Sequence, residues 1–359
     1  MKISVYAISK NESKFVESWV KSVEEADEIV VLDTGSSDDT VKKLREAGVK
    51  VYEEKIDPWR FDVARNRSLE LVSEDTDVCV CVDLDERFEK GWREKLEKAY
   101  EKDVKQYKYR YTWSFNADGS EGVVFWQEKI HSRKGFCWEH PVHEVPKYIG
   151  KKPYKSKFAE GIQLNHYPDH TKSRSNYLPL LELSVKECPD DDRNMHYLGR
   201  EYMFHKMYDD SIRTLKKHLQ MPQAVWRDER CASMRYIAKC LIQKNMTDGA
   251  EGWLLRAVAE APHLREPYVD LALLYYNKKN WHGVILMCEK ALEIKDRSLS
   301  YINEPSSWGS LPYDILSLAY YYTGNCEKAL EYVDKAIELS DEPRLKDNKT
   351  FFIKKLKTA

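Results

Sequence analysis

The chain has 359 residues, 42% of them hydrophobic and 33% charged, and its 58 Lys and Arg nearly balance 60 Asp and Glu for a net charge of −2. That length exceeds what one core usually holds and points to two domains, or a domain followed by an array. The charge balance argues against a dedicated binder of duplex nucleic acid, which normally carries a strong basic excess, and leaves room for a local basic patch.

Met1-Lys2-Ile3-Ser4-Val5-Tyr6 enters a strand pattern directly, with no long apolar leader. No stretch reaches the roughly 18 apolar residues of a spanning helix, so a cytoplasmic protein without a membrane span is expected. To about Tyr100, short apolar strands alternate with amphipathic helices, the pattern of a parallel sheet built from crossovers. Strands are predicted at Ile3–Ile8, Glu28–Leu32, Val49–Glu53 and Val78–Val82, and helices near Lys14–Ser22, Asp39–Ala47 and Phe61–Val72.

Each strand ends in polar residues, which should line one edge of the sheet. Asp33-Thr34-Gly35-Ser36-Ser37-Asp38-Asp39-Thr40 follows the second strand, and its acidic and hydroxyl residues suit helix capping. Neither Gly-x-Gly-x-x-Gly nor Gly-x-x-x-x-Gly-Lys-Ser/Thr occurs, which argues against a dinucleotide-binding oxidoreductase or a P-loop enzyme. Phosphates bound here would need a metal and basic side chains.

Val78-Cys79-Val80-Cys81-Val82 reads as a strand buried on both faces, and Asp83-Leu84-Asp85-Glu86 follows at once. Alternation along the strand would put Asp83 and Asp85 on one face at its C-terminal end, where open α/β sheets bind ligands. Two carboxylates converging there call for a cation, and hard oxygen ligands suit Mg²⁺ or Mn²⁺ holding a diphosphate. The plainer alternative is a turn that caps the next helix.

From about Gln106 to Gln163 the chain turns β-rich and aromatic, and Tyr107-Lys108-Tyr109-Arg110-Tyr111 predicts a strand with one aromatic face, for packing or for stacking on a ligand. The basic run Lys147 to Lys157 reads as a solvated loop, or as a contact for an anionic ligand. His131, His140, His143, His166 and His170 fall in or just after this region without any compact zinc spacing. The eight cysteines are scattered and mostly apolar in context, as expected of buried reduced thiols.

Beyond Ser173 the sequence is almost wholly helical. The small residues Ser211, Ala250, Val284 and Ala329 recur at a spacing near that of tetratricopeptide (TPR) repeats, and Pro262, Pro267 and Pro343 punctuate helix ends. The stretch Tyr301–Pro312 breaks the regularity and reads as a cap or kink.

Taken together, Lys10-Asn11-Glu12, Asp33-Thr34-Gly35-Ser36, Asp62-x-x-Arg65-Asn66 and Asp83-Leu84-Asp85-Glu86 resemble the landmarks of glycosyltransferase family 2 enzymes of GT-A fold. The resemblance, with a TPR-like tail, covers most of the chain. It implies a GT-A, Rossmann-like α/β nucleotide-sugar domain over residues 1–172 and an all-α helical-repeat domain over 173–359. It places Asn11, Glu12, Asp33, Asp62, Arg65, Asp83 and Leu84 at the nucleotide sugar, with Lys129 and Arg133 facing its diphosphate or the acceptor. It assigns Asp85 and His166 to Mn²⁺ or Mg²⁺.

Trp138-Glu139-His140-Pro141-Val142-His143-Glu144 is similar to the His-Glu ending of some members, which makes Glu144 the general base of an inverting transfer. The implied donor is a nucleotide-diphosphate sugar, UDP-linked first. The implied acceptor is a peptide, a glycan or a modified nucleobase, and the repeats suit acceptor binding or a homodimer. The rival readings are a catalytically inactive scaffold whose repeats bind a protein, and a metal-dependent nucleotidyltransferase.

Overall fold

The computed structural model describes residues 1–169 and 177–358. The chain divides into two compact units, Met1–Ser184 with Leu299–Tyr301, and Val185–Ser298 with Ile302–Ala359. The boundary expected between 172 and 173 lies outside the described residues.

The first unit begins as β1 (Ile3–Ser9), α1 (Val16–Val23), β2 (Glu28–Asp33), α2 (Thr40–Glu46), β3 (Lys50–Glu53), α3 (Phe61–Glu70) and β4 (Val78–Cys81). It continues with β5 (Glu86–Phe88), α4 (Trp92–Ala99), β6 (Val104–Thr112), β7 (Val124–Ser132), β8 (Phe136–Glu139), β9 (Val145–Tyr148), β10 (Lys155–His166) and α5 (Tyr177–Glu187). Eight strands form one mixed sheet in the order β3-β2-β1-β4-β7-β6-β10-β5, and β8 and β9 form a separate hairpin. The four strands β3, β2, β1 and β4 are parallel, so Ser9, Asp33, Glu53 and Cys81 end along one edge.

Strand alternation sorts β1 between two cores. Ile3, Val5 and Ala7 pack with Val16, Trp19 and Val23 of α1 and with Leu44 of α2, whereas Tyr6 faces Leu69, Cys79, Cys81 and Trp138 on the other side. With both faces covered, β1 and β4 are buried almost throughout, as their unbroken apolar runs require. Tyr107, Tyr109 and Tyr111 of β6 are also core residues, so their shared face packs inward.

The second unit is built from helix pairs: α6 (Asp192–Phe204) with α7 (Tyr208–Gln220), α8 (Arg227–Gln243) with α9 (Thr247–Glu260), α10 (Glu266–Asn277) with α11 (Trp281–Glu293), and α12 (Leu311–Tyr322) with α13 (Cys326–Leu339), before α14 (Pro343–Thr358). Ser211, Ala250, Val284 and Ala329 each occupy the fourth position of the second helix of a pair, and each is fully buried.

The turn inside each pair also repeats. Lys206, Asn245, Lys279 and Gly324 adopt positive φ of 60°, 59°, 54° and 89°, each two residues before the second helix. The amide after each reaches back to a carbonyl five residues earlier: Met207 to Tyr202, Met246 to Leu241, Asn280 to Tyr275 and Asn325 to Tyr320. This is a left-handed helix ending used four times. These shared turns and buried positions make the array TPR-like.

From Ile302 onward the irregular stretch before α12 belongs to this unit. Glu304 forms an ion pair with Arg235 at 2.8 Å and accepts from Lys239 at 2.9 Å, and the Trp308 indole donates to Glu266 at 3.0 Å. Among the described residues no disulfide forms, and no helix is long and apolar enough to cross a membrane.

Candidate active site

After β4 the chain does not continue as a strand. It folds into a turn over Asp83–Glu86, closed by the Glu86 amide donating to the Asp83 carbonyl at 2.9 Å. The expectation that Asp83 and Asp85 would share one strand face and one cation is therefore corrected, because the turn sends the two carboxylates to different partners.

Asp83 is answered by the chain's own cations. Arg65 on α3 donates to both of its oxygens at 2.5 and 2.9 Å, and Lys129 on β7 donates at 2.9 Å. Burial works to raise the Asp83 pKa, but the guanidinium and ammonium outweigh it and hold the carboxyl well below the usual range. Arg65 is itself buried, lies 5.2 Å from the Trp138 ring and gives its Nε–H to Glu144 at 2.8 Å.

Beneath this pair sits Glu86, only 2% exposed, which accepts from the Asp83 amide at 2.9 Å and the Tyr111 hydroxyl at 2.8 Å, with Lys129 at 3.4 Å. Burial raises its pKa against the pull of Lys129. The sequence reading missed Glu86 and Tyr111 as partners. The signal was present in the inward tyrosine alternation, since a buried phenol needs an acceptor.

Asp85 is placed differently. Its carboxylate lies 3.3 Å from His166 Nε2, at the end of β10, and its carbonyl accepts the Tyr167 amide at 2.7 Å. His166 Nδ1 lies 2.9 Å from the Trp113 carbonyl, and the Trp113 ring stacks on the imidazole at 4.4 Å. A carbonyl can only accept, so Nδ1 carries a proton and a neutral His166 turns its Nε2 lone pair toward Asp85. Burial lowers the His166 pKa, but the Asp85 carboxylate and Trp113 carbonyl reverse that and raise it. A cleft of about 480 Å³ opens beside His166, walled by Phe15, Phe115 and Tyr167.

Asp33, buried at the end of β2, accepts from the Gly35 and Ser36 amides at 3.0 and 2.7 Å and from the Ser9 hydroxyl at 2.7 Å, which shapes the loop after β2. Asn11 braces the same loop, accepting from the Ser37 amide at 2.7 Å, and the Glu12 amide donates to Thr40 at 2.7 Å. Leu84 is a core residue. Asp62 is held by Arg60 at 2.8 and 3.0 Å.

Arg133 is not brought to this edge. β7 runs antiparallel to β4, so Lys129 lies beside its C-terminal end and Arg133 beyond its start, where its guanidinium donates to the Val72 carbonyl at 3.1 Å. The expectation that Arg133 faces the diphosphate is corrected: it caps the chain leaving α3.

The histidines do not gather into one group. His131 is fully buried, with Nδ1 2.9 Å from the Ser132 carbonyl and Nε2 2.8 Å from the Tyr6 hydroxyl, which in turn accepts from Trp138 Nε1 at 2.9 Å. His140 and His143 lie in the loop before β9, and His170 lies outside the described residues.

The mixed sheet, its acidic turn and the helical pairs define a GT-A-type α/β domain followed by TPR-like repeats. Residues 4–147 match the model of "Glycosyl transferase family 2". An "Uncharacterized glycosyltransferase" of Rickettsia bellii (strain RML369-C) is 33% identical over 97 residues, which are 27% of this chain and 32% of that protein. "Uncharacterized glycosyltransferase RC0292" of Rickettsia conorii (strain ATCC VR-613 / Malish 7) is 35% identical over 97 residues, 27% of this chain and 33% of that protein. The chain thus spans about a third of the length of these curated relatives. Among solved structures, "YrrB: a TPR protein with an unusual peptide-binding site" is similar at a TM-score of 0.35 and 18% identity, covering 47% of this chain and 78% of that one.

Proposed function

We propose that the first unit transfers a sugar from a nucleotide-diphosphate donor, UDP-linked first, to a peptide, glycan or modified nucleobase. The observation that carries this reading is the Asp85 carboxylate facing His166 Nε2 at 3.3 Å, with Trp113 fixing the imidazole proton on the far nitrogen. Two electron-rich groups so placed fit a divalent cation, and the nitrogen ligand favours Mn²⁺ over Mg²⁺. Bound there, the cation would neutralise the departing diphosphate. Arg65 and Lys129 are already committed to Asp83 and Glu86, so the basic residues of the site leave that charge to the metal.

Asp33 and its braced loop support the base and ribose in this scheme, and Asp83 lies at the ribose. Glu144 takes the proton from the acceptor hydroxyl as its oxygen attacks the anomeric carbon. The bond from that carbon to the diphosphate oxygen breaks, and configuration inverts. Arg65 positions Glu144 for this step.

Calorimetric titration of the full chain with UDP, with and without Mn²⁺, tests the reading. Binding should strengthen at least tenfold with metal, and a panel of UDP- and GDP-sugars should show slow hydrolysis of one donor. Equal binding without metal overturns it in favour of a non-catalytic module. Preference for a nucleoside triphosphate overturns it in favour of a nucleotidyltransferase.

A further inference from the structure

The helical unit holds a second convergence of metal-ligating groups, independent of the chemistry above. Asp192 in the first turn of α6, His218 in the last turn of α7 and Glu229 in the first turn of α8 bring one ligand atom each within 4.8 Å of one another. His218 is fully buried, Glu229 is 3% exposed and Asp192 is half-buried.

Position alone says little, since carboxylates at helix starts and a histidine at a helix end are each favoured by the helix dipole. The wiring of the imidazoles says more. The buried Ser233 hydroxyl lies 2.9 Å from His218 Nδ1 and 2.7 Å from His196 Nδ1. One hydroxyl carries one proton, so it donates to one ring and accepts from the other.

If His218 Nδ1–H donates to Ser233, the Nε2 of His218 is a lone pair directed at the carboxylates. The opposite arrangement would aim an Nε2–H at Glu229, yet that atom sits 3.4 Å from the nearest Glu229 oxygen and makes no hydrogen bond. An imidazole whose far N–H is tied to an oxygen, with its other nitrogen among carboxylates, is the usual form of a metal-ligating histidine.

We propose that Asp192, His218 and Glu229 bind one Zn²⁺, with Ser233 orienting the ligating imidazole. One nitrogen and two carboxylate oxygens leave a fourth position for water. The ion would clamp α6, α7 and α8 together.

The test uses the full chain carrying Asp85→Asn, so that loss of the first cation site cannot be confused with loss of this one. After chelator treatment, Zn²⁺ is titrated by calorimetry and Co²⁺ is followed by its visible absorption. One equivalent should bind and the melting temperature should rise. Adding Asp192→Asn or His218→Gln should remove that equivalent, and Ser233→Ala should weaken it about 10- to 100-fold. If the His218 variant fails to fold, Asp192→Asn decides, because asparagine is well tolerated at a helix start. No Zn²⁺ binding to the Asp85→Asn chain, or unchanged binding in the Asp192→Asn chain, overturns the proposal.

Discussion

Arg65 grips both oxygens of Asp83 and one oxygen of Glu144, so a single buried guanidinium ties α3 to the turn after β4 and to the loop before β9. Removing it takes the guanidinium from Glu144 and leaves Asp83 with Lys129 alone, in a largely desolvated place. Arg65→Met should cost about 3–5 kcal/mol of stability, read as a lowered urea midpoint. A midpoint unchanged from the parent chain would mean that solvent already compensates these charges.

Asp85 and His166 answer to a different test. Asp85→Asn changes a partly exposed carboxylate and should leave the urea midpoint within about 1 kcal/mol of the parent, whereas His166→Gln replaces a buried imidazole stacked on Trp113 and should cost about 1–3 kcal/mol without unfolding the chain. Both should abolish the strengthening of UDP binding by Mn²⁺. Loss of folding in either variant would make the pair a structural contact.

Glu144→Gln should lower donor transfer by about 10²–10⁴-fold, the usual worth of a general base, while leaving UDP affinity nearly unchanged. Steady-state kinetics with a saturating donor separates the two effects. A parallel fall in UDP affinity would assign Glu144 to holding Arg65 in place.

Burial pushes the His131 pKa down to about 4, and the Ser132 carbonyl restores only part of the loss. The folded state therefore keeps this ring neutral while the unfolded chain protonates near pH 6.5. The sign follows: stability is full above pH 6.5, declines as pH falls toward 4 and levels off below it. The decline should reach about 3 kcal/mol. Urea midpoints across that range measure it, and His131→Gln should flatten the slope.

The four left-handed turns of the helical unit differ in how well their residues suit them. Lys206 and Lys279 hold positive φ with a full side chain, whereas Gly324 does so without one. Lys279→Gly should stabilise the unit by about 1 kcal/mol, and Gly324→Ala should destabilise it similarly. Gly199 is constrained for another reason: a Cβ there would sit 2.5 Å from the Leu215 side chain and 3.3 Å from its backbone nitrogen. Gly199→Ala should cost about 1–3 kcal/mol, read from thermal melts.

Much of the architecture was legible because it is written at short range. Period-two and period-3.6 patterns marked β1 to β4 and α1 to α3 within a residue or two, and the recurrence of Ser211, Ala250, Val284 and Ala329 marked the helix pairs. The acidic and polar strand ends were placed on one sheet edge for the same reason, since parallel strands all finish there.

What the sequence could not decide is which charge answers which. Asp83 looked like half of a cation site, yet Arg65 and Lys129 reach it from 18 and 46 residues away. The Trp113 carbonyl that sets the His166 proton lies 53 residues from that ring. Lys129 lies in β7 and Arg133 just past its end, and only the antiparallel pairing of β7 with β4 takes them to opposite ends of β4. Secondary structure is encoded by neighbours along the chain. Charge pairing is settled by desolvation and distance in the folded molecule, which no local pattern carries.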